Sequence, residues 1–411
     1  MSSLTSLPRH AWLTVALLWP VALLNYLDRQ MLATMGISIK ADIVELQSAE
    51  TYGNLMAIFM WVYAICSPLG GLVADRVSKK WLIVLSLGVW SFVTLMMGHV
   101  QGYNQLYWLR AVMGVSEAFY IPAGLSLIAD YHQGPTRSLA VGAHMSGLYL
   151  GQALGGLGGW LAQEVSWRSA FQDCGFIGVA YAFVLIALLR DCPRAPLKST
   201  GAEETAMNQG RVHWAGFILL ILCFSLPSIP GWAVKNWLPT LLQDRFLLEQ
   251  KTSGMLATGT YAAAAFLGVL IGGRVSDIIS QRHVWGRTWV SAAGLLLLVP
   301  AASALGLAPT LPWVIVAAAL FGFGFGLFDT NNMPILCQVM PRRFRASAYG
   351  LLNCVGIGAG AAVTPLLGKM KDHGVPLAQG FALCAAPALL AAILMALLRP
   401  RSRDCQAEEP V

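Results

Sequence analysis

Twelve stretches of mostly apolar sequence, each long enough to cross a bilayer, decide what this chain can fold into. They lie at about 11–36, 51–74, 81–101, 104–132, 138–163, 168–190, 213–236, 252–274, 287–307, 311–339, 346–369 and 377–398. A helix rising 1.5 Å per residue needs about 20 such residues to span the hydrocarbon core. A transmembrane barrel would show short alternating segments of about ten residues instead. The chain therefore reads as an all-α membrane protein with twelve transmembrane helices. Composition agrees. Of 411 residues, 56% are hydrophobic and 11% charged, against about 25% charged in soluble domains. The first stretch carries Asp28 and Arg29 and is too long for the apolar part of a cleaved signal peptide, so it is expected to remain as the first span.

The formal net charge is +7, but its distribution does not point to nucleic acid. Most of the 27 Lys and Arg fall in the connections on the side that holds both termini, among them Arg76, Lys79, Lys80, Arg137, Arg194, Arg282 and Arg342. The positive-inside rule places that side, with both termini, in the cytoplasm. The expected location is the cell membrane, the cytoplasmic (inner) membrane if the source is bacterial. The 8 Cys are scattered, mostly within spans and without a C-x-x-C pair, and read as small packing residues and not as disulfides. No metal or redox site is evident, and no cofactor is expected.

The longest hydrophilic connection, residues 191–212, follows the sixth span and separates a first half, 1–190, from a second, 213–411. The halves echo each other. GGLVADRVSKK (70–80) follows the second span and GGRVSDIISQR (272–282) the eighth. Each places an Asp four residues beyond a Gly-Gly pair. RSLAVG (137–142) and RASAYG (345–350) repeat at nearly the same offset. Two matches at one offset point to a parallel duplication of six spans. Such duplications build transporters whose halves rock about a site near the membrane midplane.

On these residues the sequence resembles the major facilitator superfamily. GGLVADRVSKK is similar to its loop signature, with Gly71, Asp75, Arg76, Lys79 and Lys80 at the expected spacing and Ser78 where Gly is usual. The second copy retains Asp277 and Arg282. The resemblance runs from the first span to the twelfth. It implies two six-helix halves related by a pseudo-twofold axis. It also implies that Gly71, Asp75, Arg76, Lys79, Lys80 and Asp277 belong to a cytoplasmic gate closed by charge pairs and helix-end contacts.

Charges within spans are costly, about 2.5–3.5 kcal/mol each on insertion scales, and survive only facing a bundle interior or water. Asn25, Asp28 and Arg29 are spaced i, i+3, i+4 and share one face of the first span. Arg110 and Glu117 stand two turns apart on one face of the fourth, separated by about 10 Å of rise. The first and fourth spans are neighbours around the central cavity in this superfamily, which brings two acids and two arginines to one wall. Static ion pairs would gain little here, because desolvation offsets most of the attraction. Proton-coupled transport of an anion explains the residues better. Arginine offers a planar fork for a carboxylate and stays charged. Protonating Asp28 or Glu117 would free an arginine for substrate.

Within the superfamily, the anion:cation symporters, which carry sugar acids and other organic anions, resemble NYLDRQ (25–30) and R-x6-E with a following Pro, here Arg110, Glu117 and Pro122. Tyr63 matches their aromatic residue in the second span, and SWRSAF (166–171) is also similar. This resemblance implies that Arg29, Tyr63 and Arg110 contact the anion and that Asp28 and Glu117 carry protons. Spinster-like transporters, which move amphiphilic lipids, share N-Y-x-D-R and R-x6-E, with a fourth span resembling SEAFY (116–120). The symporters are favoured of the two; a proton antiporter or exporter is a further alternative.

Other polar residues within spans complete the candidate site. Asp329, Thr330, Asn331 and Asn332 precede Pro334, where they can repair the helix or line the cavity, and Asp329 and Asn332 are taken as substrate contacts. The preceding FGFGFG lacks the Lys of a phosphate loop and reads as a packing or bending element. GLYLGQALGG (147–156) resembles the antiporter signature but has Gln152 in place of its Pro, so its glycines read as packing positions and Gln152 as a possible substrate contact. His144 lies nearby. Pro227, Pro230 and Gly231 make a broken seventh helix plausible, with Lys235 beyond it, and Asn353 is a further candidate contact in the eleventh. The sequence thus predicts a proton-driven secondary transporter, not an enzyme. Its partners would be a small organic anion, protons and the bilayer, with no nucleic acid, and it is expected to act as a monomer.

Overall fold

The structure, a computed structural model, describes residues 7–74, 76–132, 136–192, 214–340 and 344–398. Helices run in the order α1 (Leu7–Thr34), α2 (Gly36–Asp42), α3 (Ala49–Ala74), α4 (Lys79–Met97), α5 (Tyr103–Glu117), α6 (Tyr120–Tyr131), α7 (Arg137–Leu154), α8 (Gly156–Leu161) and α9 (Trp167–Leu188). They continue as α10 (Trp214–Phe246), α11 (Gln250–Ser280), α12 (Gly286–Leu307), α13 (Leu311–Asp329), α14 (Asn332–Val339), α15 (Arg345–Asp372), α16 (Leu377–Leu383) and α17 (Ala385–Leu397).

Eleven helical runs are long and apolar enough to cross a membrane, and one of them, Leu139–Leu188, has 50 residues. At 1.5 Å per residue that run is about 75 Å long, more than twice the hydrocarbon core, so it holds two crossings. The turn lies where α8 passes through a π-helical segment to Ser166, whose extended backbone ends one crossing and whose hydroxyl caps α9 by accepting from the Arg168 N–H. Twelve crossings result among the described residues, as the sequence predicts.

Among the broken crossings, two breaks correspond. α5 ends at Glu117 and α6 resumes at Tyr120; α13 ends at Asp329 and α14 resumes at Asn332. Pro122 and Pro334 are each the third residue of the resumed helix. Proline has no N–H for the carbonyl four residues back, and its ring crowds that carbonyl. The carbonyls concerned belong to Ala118 and Thr330, the residues at the two breaks. The first glycine of each Gly-Gly pair packs against them. A Cβ on Gly70 would lie 2.6 Å from the Ala118 carbonyl oxygen, and one on Gly272 would lie 3.1 Å from the Thr330 methyl carbon. The duplication read from loop motifs therefore extends to a proline break backed by glycine in each half.

The chain divides into two compact units. The first comprises Met1–Pro193 with Lys235–Ala262 and Thr364–Gly374; the second comprises Arg194–Val234, Ala263–Val363 and Val375–Val411. Within the first unit, glycines on α7 and at its junction with α8 let α1 come close. A Cβ on Gly151 would lie 2.1 Å from the Leu23 carbonyl oxygen, and one on Gly155 would lie 2.4 Å from Gln30 Cβ. These glycines are packing positions, as the sequence indicates. The segments from the second half join through polar contacts. Asp372 accepts from the Ala49 and Glu50 N–H groups and the Ser48 hydroxyl, capping α3, and Gln250 Nε2 donates to Ser38 Oγ.

Six cysteines are free: Cys66, Cys174, Cys192, Cys223, Cys354 and Cys384. Cys337 is disulfide-bonded, against the expectation that every cysteine serves packing alone. Spacing in the sequence cannot reveal such a bond, because it depends on which distant segment the fold brings alongside.

Candidate functional site

The first unit gathers Asn25, Asp28 and Arg29 of α1, Phe59 and Tyr63 of α3, and Arg110 and Glu117 of α5. The centre is an ion pair between helices. Arg29 Nε donates to Glu117 Oε2 at 2.5 Å, with the side chains 10% and 0% exposed. Asn25 Nδ2 donates to the same oxygen at 3.0 Å. Glu117 Oε1 is buried without a hydrogen-bond partner. Sequence spacing put each acid on the same helix face as an arginine, but the bonded pair runs across, from α1 to α5.

Arg110 is the unusual member. It is 2% exposed and forms no ion pair among the described residues. Its Nη1 approaches Met113 Sδ at 3.5 Å, and its Nε has no partner. The Glu117 and Asp28 carboxylates act on it electrostatically, but neither forms an ion pair with it among the described residues.

Aromatic rings take part of the load. The Arg29 guanidinium carbon lies 4.4 Å from the Tyr63 ring centroid, 5.0 Å from Tyr26 and 5.1 Å from Phe59. The Arg110 guanidinium carbon lies 4.7 Å from the same Phe59 ring. The two cations are therefore no more than about 10 Å apart, where like charges repel by about 2 kcal/mol at an effective dielectric of about 20. Ring faces offset this, at about 0.5–2 kcal/mol per contact. Tyr63, which the family resemblance assigns to anion contact, sets its ring against the Arg29 guanidinium. Phe59 and Tyr26 were missed in the sequence. Their signal was available: Phe59 is one turn before Tyr63 on the same face, and Tyr26 sits inside NYLDRQ.

Asp28 is buried beside this cluster. Its Oδ1 has no hydrogen-bond partner among the described residues, and the Trp90 indole and Thr94 hydroxyl of α4 face it. Neither of those α4 residues is evident from the sequence. Gln152 is buried on α7. His144, also on α7, is fully buried with both ring nitrogens unpartnered and its ring edge-on to Tyr120 at 5.9 Å.

The remaining candidate contacts belong to the second unit. Asp329 ends α13, and Asn332 Nδ2 donates to its Oδ1 at 2.8 Å. Asn331 Nδ2 donates to the Leu327 carbonyl at 3.1 Å, repairing the broken helix, while its Oδ1 is buried without a partner. Asn353 lies half-buried on α15. No group of three or more His, Cys, Asp or Glu suited to a metal ion occurs among the described residues.

Comparison with known proteins fits this architecture. The family description Major Facilitator Superfamily matches residues 18–284 and 220–410. This chain belongs to that superfamily. It is a multi-pass membrane transporter and not an enzyme. Its relatives include the D-galactonate transporter of Escherichia coli O6:H1, 25% identical over 95% of this chain and 96% of that one. The probable galactarate/D-glucarate transporter of Bacillus subtilis is 26% identical over 87% of this chain and 84% of that protein. Protein spinster of Drosophila melanogaster is also 26% identical, over 87% of this chain but 61% of its own length. Among solved structures, a bacterial homolog to the human lysosomal transporter Spinster has a TM-score of 0.77 at 19% identity, covering 93% of this chain and 96% of that one. That likeness shows the fold.

In this major facilitator chain the loop after α3 is stitched to its own unit. Lys79 Nζ pairs with Asp130 Oδ2 of α6 at 2.5 Å. Lys80 Nζ donates to the Ile186 carbonyl, and its backbone N–H to Asp191 Oδ1. Ser78, where the family pattern has Gly, is the N-cap of α4 and accepts from the Trp81 N–H. Its backbone has negative φ, so no glycine is required, and the hydroxyl supplies a favourable cap. A Cβ on Gly71 would meet nothing within 4 Å, so the close-packing requirement falls on Gly70. Arg76 is exposed. Asp75 lies outside the described residues. In the second unit Asp277 pairs with Arg287 at 3.0 Å.

Proposed function

We propose that this chain is a proton-coupled symporter of an organic anion, a sugar acid or similar carboxylate, working by alternating access in the cell membrane with both termini cytoplasmic. The observation that carries the reading is the unequal treatment of two buried arginines: Arg29 is ion-paired with Glu117 through Nε, with Nη2 left buried and unbonded, while Arg110 has no ion pair among the described residues. A carboxylate substrate would give Arg110 the direct ion-pair partner it lacks among the described residues. A proton on Glu117 would discharge its pair and turn Arg29 toward the same anion, so that proton and substrate enter together. Asp28 is the second proton carrier in this scheme. Tyr63, Gln152 and Asn25 supply polar contacts to the anion in this scheme, and Asp329, Asn332 and Asn353 remain candidate substrate contacts. The proton gradient is the energy source, no cofactor takes part, and the monomer suffices. The loop residues Gly71, Asp75, Arg76, Lys79, Lys80 and Asp277 serve the gate. Relatives named as galactonate and galactarate/D-glucarate transporters support the substrate class.

The relationship to Protein spinster supports a second reading, in which the anion is the headgroup of a single-chain lipid. Uptake into proteoliposomes under an imposed pH gradient separates the two, using D-galactonate, D-glucarate and lysophospholipid in parallel. The first reading expects gradient-driven accumulation of a sugar acid, lost in Glu117→Gln while exchange of labelled for unlabelled substrate persists. Accumulation that ignores the gradient, or persists unchanged in Glu117→Gln, rejects proton coupling through this residue. Exclusive transport of the lysophospholipid rejects the sugar acid.

A further inference from the structure

Phe59 is an apolar residue in the one wall where two guanidiniums are buried. Its ring is 3% exposed and lies within cation–π range of both, 5.1 Å from the Arg29 carbon and 4.7 Å from that of Arg110. Arg29 has other support, from Glu117, Tyr26 and Tyr63. Arg110 touches this ring and the Met113 thioether, while the Glu117 and Asp28 carboxylates act on it from farther off without an ion pair. The backbone is arranged to bring the ring there. Gly114, one turn beyond Arg110, faces the Phe59 carbonyl, and a Cβ on it would lie 2.6 Å from that oxygen. Only glycine at this crossing lets α3 approach α5 closely enough for Phe59 to reach Arg110.

We propose that Phe59 is a positioning residue whose ring binds both guanidiniums and holds Arg29 and Arg110 as a single receptor for the anion. The inference rests on the anion-transport reading for its use, but not for its geometry. A ring face attracts cations through its quadrupole, and electron-withdrawing substituents weaken that face while keeping its shape. Aliphatic replacement would confuse this with lost packing; stepwise fluorination does not.

The test is replacement of Phe59 by mono-, di- and trifluorinated phenylalanine in the full chain, with the same series at Phe176, which is 67% exposed on α9, as a control. Two quantities are read: the melting temperature of the purified protein without substrate, and the KM and kcat for D-galactonate uptake. Each fluorine at position 59 is expected to lower the melting temperature, by roughly 2 °C in total. KM is expected to rise stepwise, roughly 3- to 30-fold at the trifluoro stage, with kcat nearly unchanged. The control series should change neither. A flat melting series at position 59, or a KM that stays constant or falls, overturns the proposal. If the unmodified protein takes up no sugar acid, the substrate reading fails on its own, and the melting series still decides whether the ring holds the arginines.

Discussion

Glu117→Gln removes one charge from the ion-pair centre and keeps its shape. The pair it breaks is close and buried, with Arg29 Nε at 2.5 Å and the side chains 10% and 0% exposed. Stranding the partner of a buried pair costs about 3–5 kcal/mol. The rings of Tyr26, Phe59 and Tyr63 are already in place around Arg29 and should recover about 1–2 kcal/mol of this. The substrate-free variant is therefore expected to be less stable by about 2–3 kcal/mol. The same energy reappears on binding. In the unmodified protein an anion must displace Glu117 from Arg29; in the variant it need not. Affinity for D-galactonate should then rise by about 30- to 150-fold. Equilibrium binding by titration calorimetry gives the Kd, and thermal melting with and without ligand gives both stabilities. The expected pattern is a lower melting temperature without ligand, a larger ligand-induced rise, and a Kd that no longer depends on pH. An unchanged melting temperature with an unchanged or weaker Kd would refute the competition between Glu117 and substrate.

Three further expectations follow from packing and charge. Gly151→Ala places a Cβ about where the Leu23 carbonyl oxygen stands, 2.1 Å away, so α1 must shift off α7; a loss of at least 2 kcal/mol is expected, read by melting and by yield of folded protein. Asp372→Ala removes both acceptor oxygens, Oδ1 for the Ala49 N–H and Oδ2 for the Glu50 N–H and the Ser48 hydroxyl, and should cost about 1–2 kcal/mol in melting experiments, only partly restored by Asn, which has a single acceptor oxygen. Lys40 lies against the Tyr52 ring with Lys371, Asp244 and Asp372 around it, and burial first, then the Lys371 ammonium, push it from 10.5 down to about 8. Below that value Lys40 is charged whether packed or not, and the cost of burying it is present in full. Between about 8 and 10.5 the packed form sheds its proton first, so stability should rise across that window by about 2 kcal/mol. Lys40→Met should flatten the rise in a plot of melting temperature against pH.

Much of this was legible in the sequence, for identifiable reasons. Spans announce themselves because a bilayer demands one length and one chemistry. The i, i+3, i+4 spacing of Asn25, Asp28 and Arg29 fixed a shared face from helix geometry alone. The pairing was not legible. Whether Arg29 bonds Glu117 or a nearer acid depends on how far α1 is rotated toward α5, and the glycines at 147, 151 and 155 report closeness but not rotation. Phe59 was hidden for a different reason. A phenylalanine in a span is ordinary, and it becomes informative only when two cations are found on its ring. The proline breaks lay between these cases: Pro122 and Pro334 were visible, but that Gly70 and Gly272 back them requires the packed helices.

Glu117 spends a single oxygen on both of its donors and leaves Oε1 idle. The consequence concerns order in time. A proton can settle on Oε1 while Asn25 and Arg29 still hold Oε2, so no bond has to break before the charge is lost. In the proposed proton-coupled scheme, neutralisation then comes first and the release of Arg29 second, so that a guanidinium parts from a neutral acid and not from an intact charge.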